Sequence, residues 1–208
     1  KKLAVTALFA ALAAASVVAQ AQTVRIANQG DALSMDPHSL NESLQLSVTS
    51  NVYEPLVGRN KDLSLAPALA TSWKQTSPTV WRFELRKGVQ FHDGTPFTAD
   101  DVVFSFGRMK GEGSDMKATN SDVKLVRKID DHTIEIETQA PHPILPDVIT
   151  TSYMMSKKWC ETNQATTPVD RRKGIENAAS FRANGTGPYR LRERQPNVRT
   201  VFVRNGAY

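Results

Sequence analysis

One stretch does most to limit the fold. Thr79–Arg86 (TVWRFELR) sets Val80, Arg82, Glu84 and Arg86 against Trp81, Phe83 and Leu85. A strict two-residue period predicts a strand with one buried face. It leads into Phe91-His92-Asp93-Gly94-Thr95, where Asp-Gly tolerates positive φ and so predicts a tight loop or two-stranded hairpin. Thr98-Ala99-Asp100-Asp101 then has a hydroxyl followed three positions later by a carboxylate, the pattern of a capping box. The helix it opens, Ala99–Met109, carries Val102, Val103, Phe106 and Met109 on its apolar face. Strand, turn and capped helix in succession predict a mixed α/β fold.

Elsewhere the signals are shorter. Thr23–Asn28 predicts an early strand, followed by a loop over Gln29–His38. Leu40, Leu44, Leu46, Val48 and Val52 recur at helical spacing, predicting a helix over Ser39–Val52 with Asn41 or Ser39 as its cap. Leu56-Val57 predicts a short buried strand, and Leu65–Trp73 a helical turn with Pro67 near its start. Val123–Ile129 and Thr133–Glu137 predict a hairpin around Asp130-Asp131, and Met154–Glu161 a short helix. Arg171-Arg172-Lys173 predicts a solvated turn or helix end. Gly185–Pro188 predicts a turn before two strands, Tyr189–Arg192 and Thr200–Arg204.

The front of the chain bears on compartment. Lys1-Lys2 precede an apolar run over Leu3–Ala19 with an Ala19-Gln20-Ala21 exit, which predicts a secretory signal peptide over residues 1–21. A transmembrane anchor is the competing reading, but the run is alanine-rich and no basic cluster follows it. No cysteine stands near the exit to carry a lipid. The whole chain of 208 residues has 26 basic and 21 acidic side chains; removing two lysines leaves 24 against 21, net +3. That is no electrostatic footprint for nucleic acid. The single cysteine, Cys160, excludes an internal disulfide and any cysteine-rich metal site and is expected to be buried beside Trp159.

Candidate chemistry is sparse. His38, His92, His132 and His142 show neither helical pairing nor a metalloprotease motif. Asp100-Asp101 fits the first turn of a helix better than an acid–base pair. Gly111-x-Gly113 lacks the third glycine and preceding strand of a dinucleotide fingerprint. Asn41-Glu42-Ser43 and Asn184-Gly185-Thr186 match the glycosylation pattern, and neither is read as modified. No G-x-S-x-G is present. No residue reads as a catalyst, and neither a metal nor another cofactor is expected.

Five segments nevertheless resemble one family in order and spacing: Ser34–His38, Asn51–Val57, Leu65–Trp73, Trp81–Phe106 and Gly185–Tyr189. They are similar to the extracytoplasmic solute-binding proteins of family 5, which serve ABC importers of oligopeptides, dipeptides and nickel chelates. The resemblance implies a type II periplasmic-binding-protein-like, two-lobed fold, of which this sequence resembles the first lobe with its extra subdomain. Its divisions would be residues 22–50 for the start of the lobe core, 51–176 for the extra subdomain and 177–208 for the return strands.

The resemblance implies a periplasmic, monomeric binding component that captures peptides or similar small solutes and delivers them to membrane permease and ATPase subunits. Asp31, Ala32, Leu33 and Ser34 would pair their backbone with an extended peptide. Nickel-chelate or haem capture through histidine or arginine contacts, with His38 and His92 the histidines to test, and an exported hydrolase are the alternatives. Trp81, Phe83, Phe104 and Phe106 read as core, not as a ligand platform.

Overall fold

The computed structural model describes residues 23–208. The expected signal peptide lies outside the described residues. Among them no helix is long and apolar enough to cross a membrane. The elements in chain order are α1 (Ser43–Thr49), β1 (Val57–Arg59), β2 (Leu65–Pro67), β3 (Ala70–Ser77), β4 (Val80–Leu85) and α2 (Ala99–Met109). They continue with β5 (Val123–Asp130), β6 (Thr133–Thr138), α3 (Leu145–Val148), α4 (Lys157–Thr162), α5 (Ala178–Phe181), β7 (Tyr189–Gln195) and β8 (Arg199–Arg204). Short 3-10 turns occupy Ile149–Thr151 and Arg171–Lys173. The fold is mixed α/β.

The alternating stretch is the central scaffold. β4 lies inside a four-stranded antiparallel sheet of order β3-β4-β6-β5, with Trp81 opposite Ile136 and Phe83 opposite Ile134. Phe83, Leu85, Ile134 and Ile136 face inward and meet Val102, Phe106 and Met109 of α2. On the other face Arg82 pairs with Glu135 at 2.7 Å, while Arg127 and Lys124 reach Glu137 at 3.2 and 2.6 Å. This solvated charge ladder explains the polar half of the alternation.

α2 spans the expected residues. Asp101 Oδ2 accepts the Thr98 N–H at 2.9 Å, and its Oδ1 accepts the Lys157 N–H at 2.9 Å, so one carboxylate starts two helices. Asp100 is exposed and pairs with Lys128 at 2.7 Å. The Asp-Gly loop is equally local: Phe91 N–H meets Thr95 O at 2.8 Å, and Gly94 sits at φ 84°.

Four expectations are corrected. Leu65–Trp73 is not helical but supplies β2 and the start of β3. Pairing with β1, and the Leu69 and Ala70 N–H bonds to Pro55 and Leu56 carbonyls at 3.1 and 2.9 Å, draw this segment out. Thr23–Asn28 forms no strand among the described residues, because no strand pairs with it; Val24 and Ile26 lie exposed. The helix expected over Ser39–Val52 is limited to Ser43–Thr49, capped by Glu42, whose carboxylate accepts the Gln45 and Leu44 N–H groups at 2.7 and 3.2 Å. Ser39 instead donates to Asp36 O at 2.8 Å, and Asn41 to Thr119 at 3.1 Å. Finally, the short helix begins at Lys157, because Met154 and Met155 N–H groups are committed to Glu54 O and Ser105 Oγ at 3.0 and 2.9 Å.

A second, smaller core joins Met35, Val52, Tyr53, Tyr153, Met155, Cys160, Ala165 and Ala179, with Leu191 and Phe202 of the β7–β8 hairpin packed against it. It therefore gathers the beginning, middle and end of the described chain. Phe83 and Phe106 are buried, and Trp81 and Phe104 pack partly buried against the two cores, so all four aromatics serve packing.

Candidate functional site

The Ser34–His38 loop is fastened from several sides. Gln45 Nε2 donates to Ser34 O at 2.5 Å, while its Oε1 accepts the Ser34 N–H at 3.4 Å. Met35 N–H donates to Ser180 O at 3.0 Å. Asp36 and Arg108 form a fully buried, two-pronged pair, Nη1 to Oδ1 at 2.8 Å and Nη2 to Oδ2 at 2.7 Å. The remaining Arg108 donors reach Ala165 O, Thr167 O and His38 Nδ1 at 3.0, 2.9 and 3.0 Å. All five guanidinium N–H groups thus have acceptors. Asp36 also accepts the His38 and Val169 N–H groups at 3.0 and 2.9 Å.

The electrostatics follow from burial with full pairing. Burial would raise the Asp36 carboxyl, but the Arg108 guanidinium and backbone donors outweigh it and hold the group below its usual range. Burial, reinforced by Arg108, drives His38 down to about 4, so its ring is neutral at pH 7. Its Nε2–H donates to Tyr153 O at 2.9 Å while Nδ1 receives Arg108.

A second knot lies beneath. Gly187 and Tyr189 N–H groups donate to Val52 O and Asn51 O at 2.8 and 3.0 Å, and His92 N–H to Gly185 O at 2.8 Å. His92 Nε2 donates to Gly187 O at 3.0 Å, and Asn184 Oδ1 accepts the Asp93 N–H at 3.0 Å. A Cβ at Gly185 would stand 1.9 Å from Val52 O, so only glycine allows this approach. His38 and His92 both spend their Nε2 on backbone carbonyls; His38 Nδ1 is taken by Arg108, and His92 Nδ1 is buried without a partner among the described residues. Among the described residues no group of three or more His, Cys, Asp or Glu side chains is placed to hold one.

The four expected ligand residues lie together at the edge of this fastened loop. Ala32 and Ser34 are buried, Asp31 is partly buried, and Leu33 is half exposed at 50%. Asp31 Oδ2 accepts the Asn197 N–H at 2.9 Å and stands 3.5 Å from Arg194, which also donates to Ala32 O. Among the described residues the Leu33 N–H and C=O make no hydrogen bond, nor do the Asp31 backbone groups and the Ala32 N–H, but Leu33 is the most exposed of the four. Sequence reasoning missed Gln45, Arg108 and Arg194, which hold the loop. Their partners are distant in sequence, and no local pattern marks them.

The sequence and fold of this chain resemble those of known proteins. Residues 64–208 match the family described as bacterial extracellular solute-binding proteins, family 5 Middle. The periplasmic oligopeptide-binding protein OppA of Escherichia coli is 26% identical over 225 residues, covering 97% of this chain and 39% of that protein. The periplasmic murein peptide-binding protein MppA of the same organism is 27% identical over 216 residues, covering 93% and 38%. The periplasmic binding protein DppA from Helicobacter pylori, solved with the peptide STSA, superposes with a TM-score of 0.72 at 25% identity. That alignment covers 86% of this chain and 38% of DppA. The chain thus spans about two-fifths of the length of the curated relatives it matches. By sequence and fold alike, it belongs to the family 5 bacterial extracellular solute-binding proteins.

Proposed function

We propose that this chain is part of the periplasmic substrate-binding component of an ABC importer, and that its ligand is a peptide or a peptide-like solute. Residues 22–50 and 177–208 would form the core of one lobe, and 51–176 the extra subdomain. The observation that carries the ligand reading is the free backbone at Leu33, half exposed between the Ala32 C=O held by Arg194 and the Ser34 N–H and C=O held by Gln45. A rigid edge with a free N–H and C=O is what an extended peptide needs to add itself as a strand. The protein would do no chemistry of its own and would hand its ligand to the permease and ATPase subunits.

The test uses the full-length protein encoded by the gene, purified and titrated with a peptide panel by calorimetry and thermal shift. Binding of at least one short peptide, with a raised unfolding midpoint by linkage, is expected. A panel that moves neither heat nor midpoint refutes the peptide reading.

A further inference from the structure

β7 presents two kinds of arginine. Arg192 is exposed, and Arg199 on β8 makes an exposed pair with Glu193 at 2.9 Å. Arg194 differs: its side chain is only 2% exposed. Its Nη1 donates to Thr200 Oγ1 at 3.0 Å, its Nη2 donates to Ala32 O, and Asp31 Oδ2 stands 3.5 Å away. Its Nε is buried without a partner among the described residues. Burying a guanidinium incompletely paired is costly unless the geometry it enforces is needed. Here that geometry is the position of residues 31 and 32 against the β7–β8 turn, where Asn197 N–H completes the grip on Asp31 at 2.9 Å.

Leu33 is flanked by this grip and by that of Gln45 on Ser34. Leu33 lies outside any strand, but a backbone edge that takes up a peptide as an added strand is useful only in one register, since a slip of one residue turns every ligand side chain to the opposite face. We infer that Arg194 is the positioning residue of the ligand edge, fixing Asp31 and Ala32 so that the Leu33 N–H and C=O meet a peptide in a single register. The inference rests on the peptide reading above. A lysine could keep the charge but not the two-ended fork, because its ammonium is a point donor.

The experiment compares wild-type full-length protein with Arg194→Met and Arg194→Lys. Site-resolved amide exchange is followed at Ser34 and Asn197, with β4 amides as the global reference. Exchange at Ser34 and Asn197 is expected to rise about tenfold in Arg194→Met with β4 unchanged. A bound peptide is then scanned by N-methylation. In wild type, methylating the ligand amide that pairs with Leu33 is expected to weaken binding about tenfold or more. In Arg194→Met that single-position penalty shrinks, a change that a merely structural role does not produce. Arg194→Lys, which retains the charge, is expected to fall between the two. Unchanged exchange, or a methylation profile in either variant identical to wild type, overturns the inference. If wild type binds no peptide, the peptide reading fails by itself, and exchange at Ser34 and Asn197 still decides whether Arg194 positions the loop.

Discussion

Replacing Arg108 by methionine tests whether the buried pair carries the lobe's core. Methionine matches the length of the aliphatic stem but supplies none of the donors to Asp36, Ala165 O, Thr167 O and His38. Asp36, fully buried, would keep only the His38 and Val169 N–H groups. Removing one member of a buried pair costs about 3–5 kcal/mol, because the other charge is stranded. At about 2–4 °C per kcal/mol for a chain of this size, the midpoint should fall by about 6–20 °C. The assay is urea and thermal unfolding followed by circular dichroism at pH 7.

The pH dependence has a definite sign. In wild type the folded Asp36 pKa lies below its unfolded value, so its contribution is present above the unfolded value and disappears as pH falls through the folded one. Without Arg108, burial pushes the carboxyl upward, and the variant's penalty should shrink as the pH is lowered toward 5. Asp36→Asn combined with Arg108→Met should recover at least about 1 kcal/mol relative to Arg108→Met. A loss below about 1 kcal/mol for Arg108→Met, or a double variant no better than the single, refutes the reasoning.

Three further outcomes are expected. His38, held at about 4 by burial and Arg108, resists protonation in the folded state. Since the unfolded state binds the extra proton between about pH 6.5 and 4, stability should fall by about 3 kcal/mol as pH drops through that window. His38→Gln should flatten this slope in urea titrations at stepped pH. Gly185→Ala forces a Cβ to within 1.9 Å of Val52 O and should cost more than about 3 kcal/mol. The exposed helical Gly107→Ala meets nothing within 4 Å and should gain about 0.5–1 kcal/mol; equal effects from the two would refute the packing argument. Cys160 is buried with its thiol pushed up to about 12, so a thiol reagent should be silent on native protein and stoichiometric in urea.

The parts legible in the sequence are those decided locally. The Trp81–Phe83–Leu85 alternation, the Asp93-Gly94 turn and the Thr98–Asp101 box each carry their signal within a few residues. Leu65, Leu69 and Trp73 mimic helical spacing, yet hydrogen bonds from Leu69 and Ala70 to residues 55 and 56 decide their conformation. Thr23–Asn28 shows the reverse case: a strand signal needs a partner, and none of the described strands supplies one. The loop over Gln29–His38 is legible from its residues, but what holds it is not. Asp36 and Arg108 are 72 residues apart, and Arg194 and Ala32 are 162 apart.

Those separations also set an order of assembly. The hairpins β3–β4 and β5–β6 join neighbours in sequence and can pair early. The loop at 31–38 cannot settle until Tyr153, 115 residues later, and Val169, 133 residues on from Asp36, are available. Val52 likewise waits for Gly187 before its carbonyl is capped. Long-range closures are slow because their loop entropy is lost before contacts compensate. The loop at 31–38 should therefore be the last part of the described chain to acquire native structure during refolding, after the sheet has formed and only when the hairpin carrying Arg194 has docked.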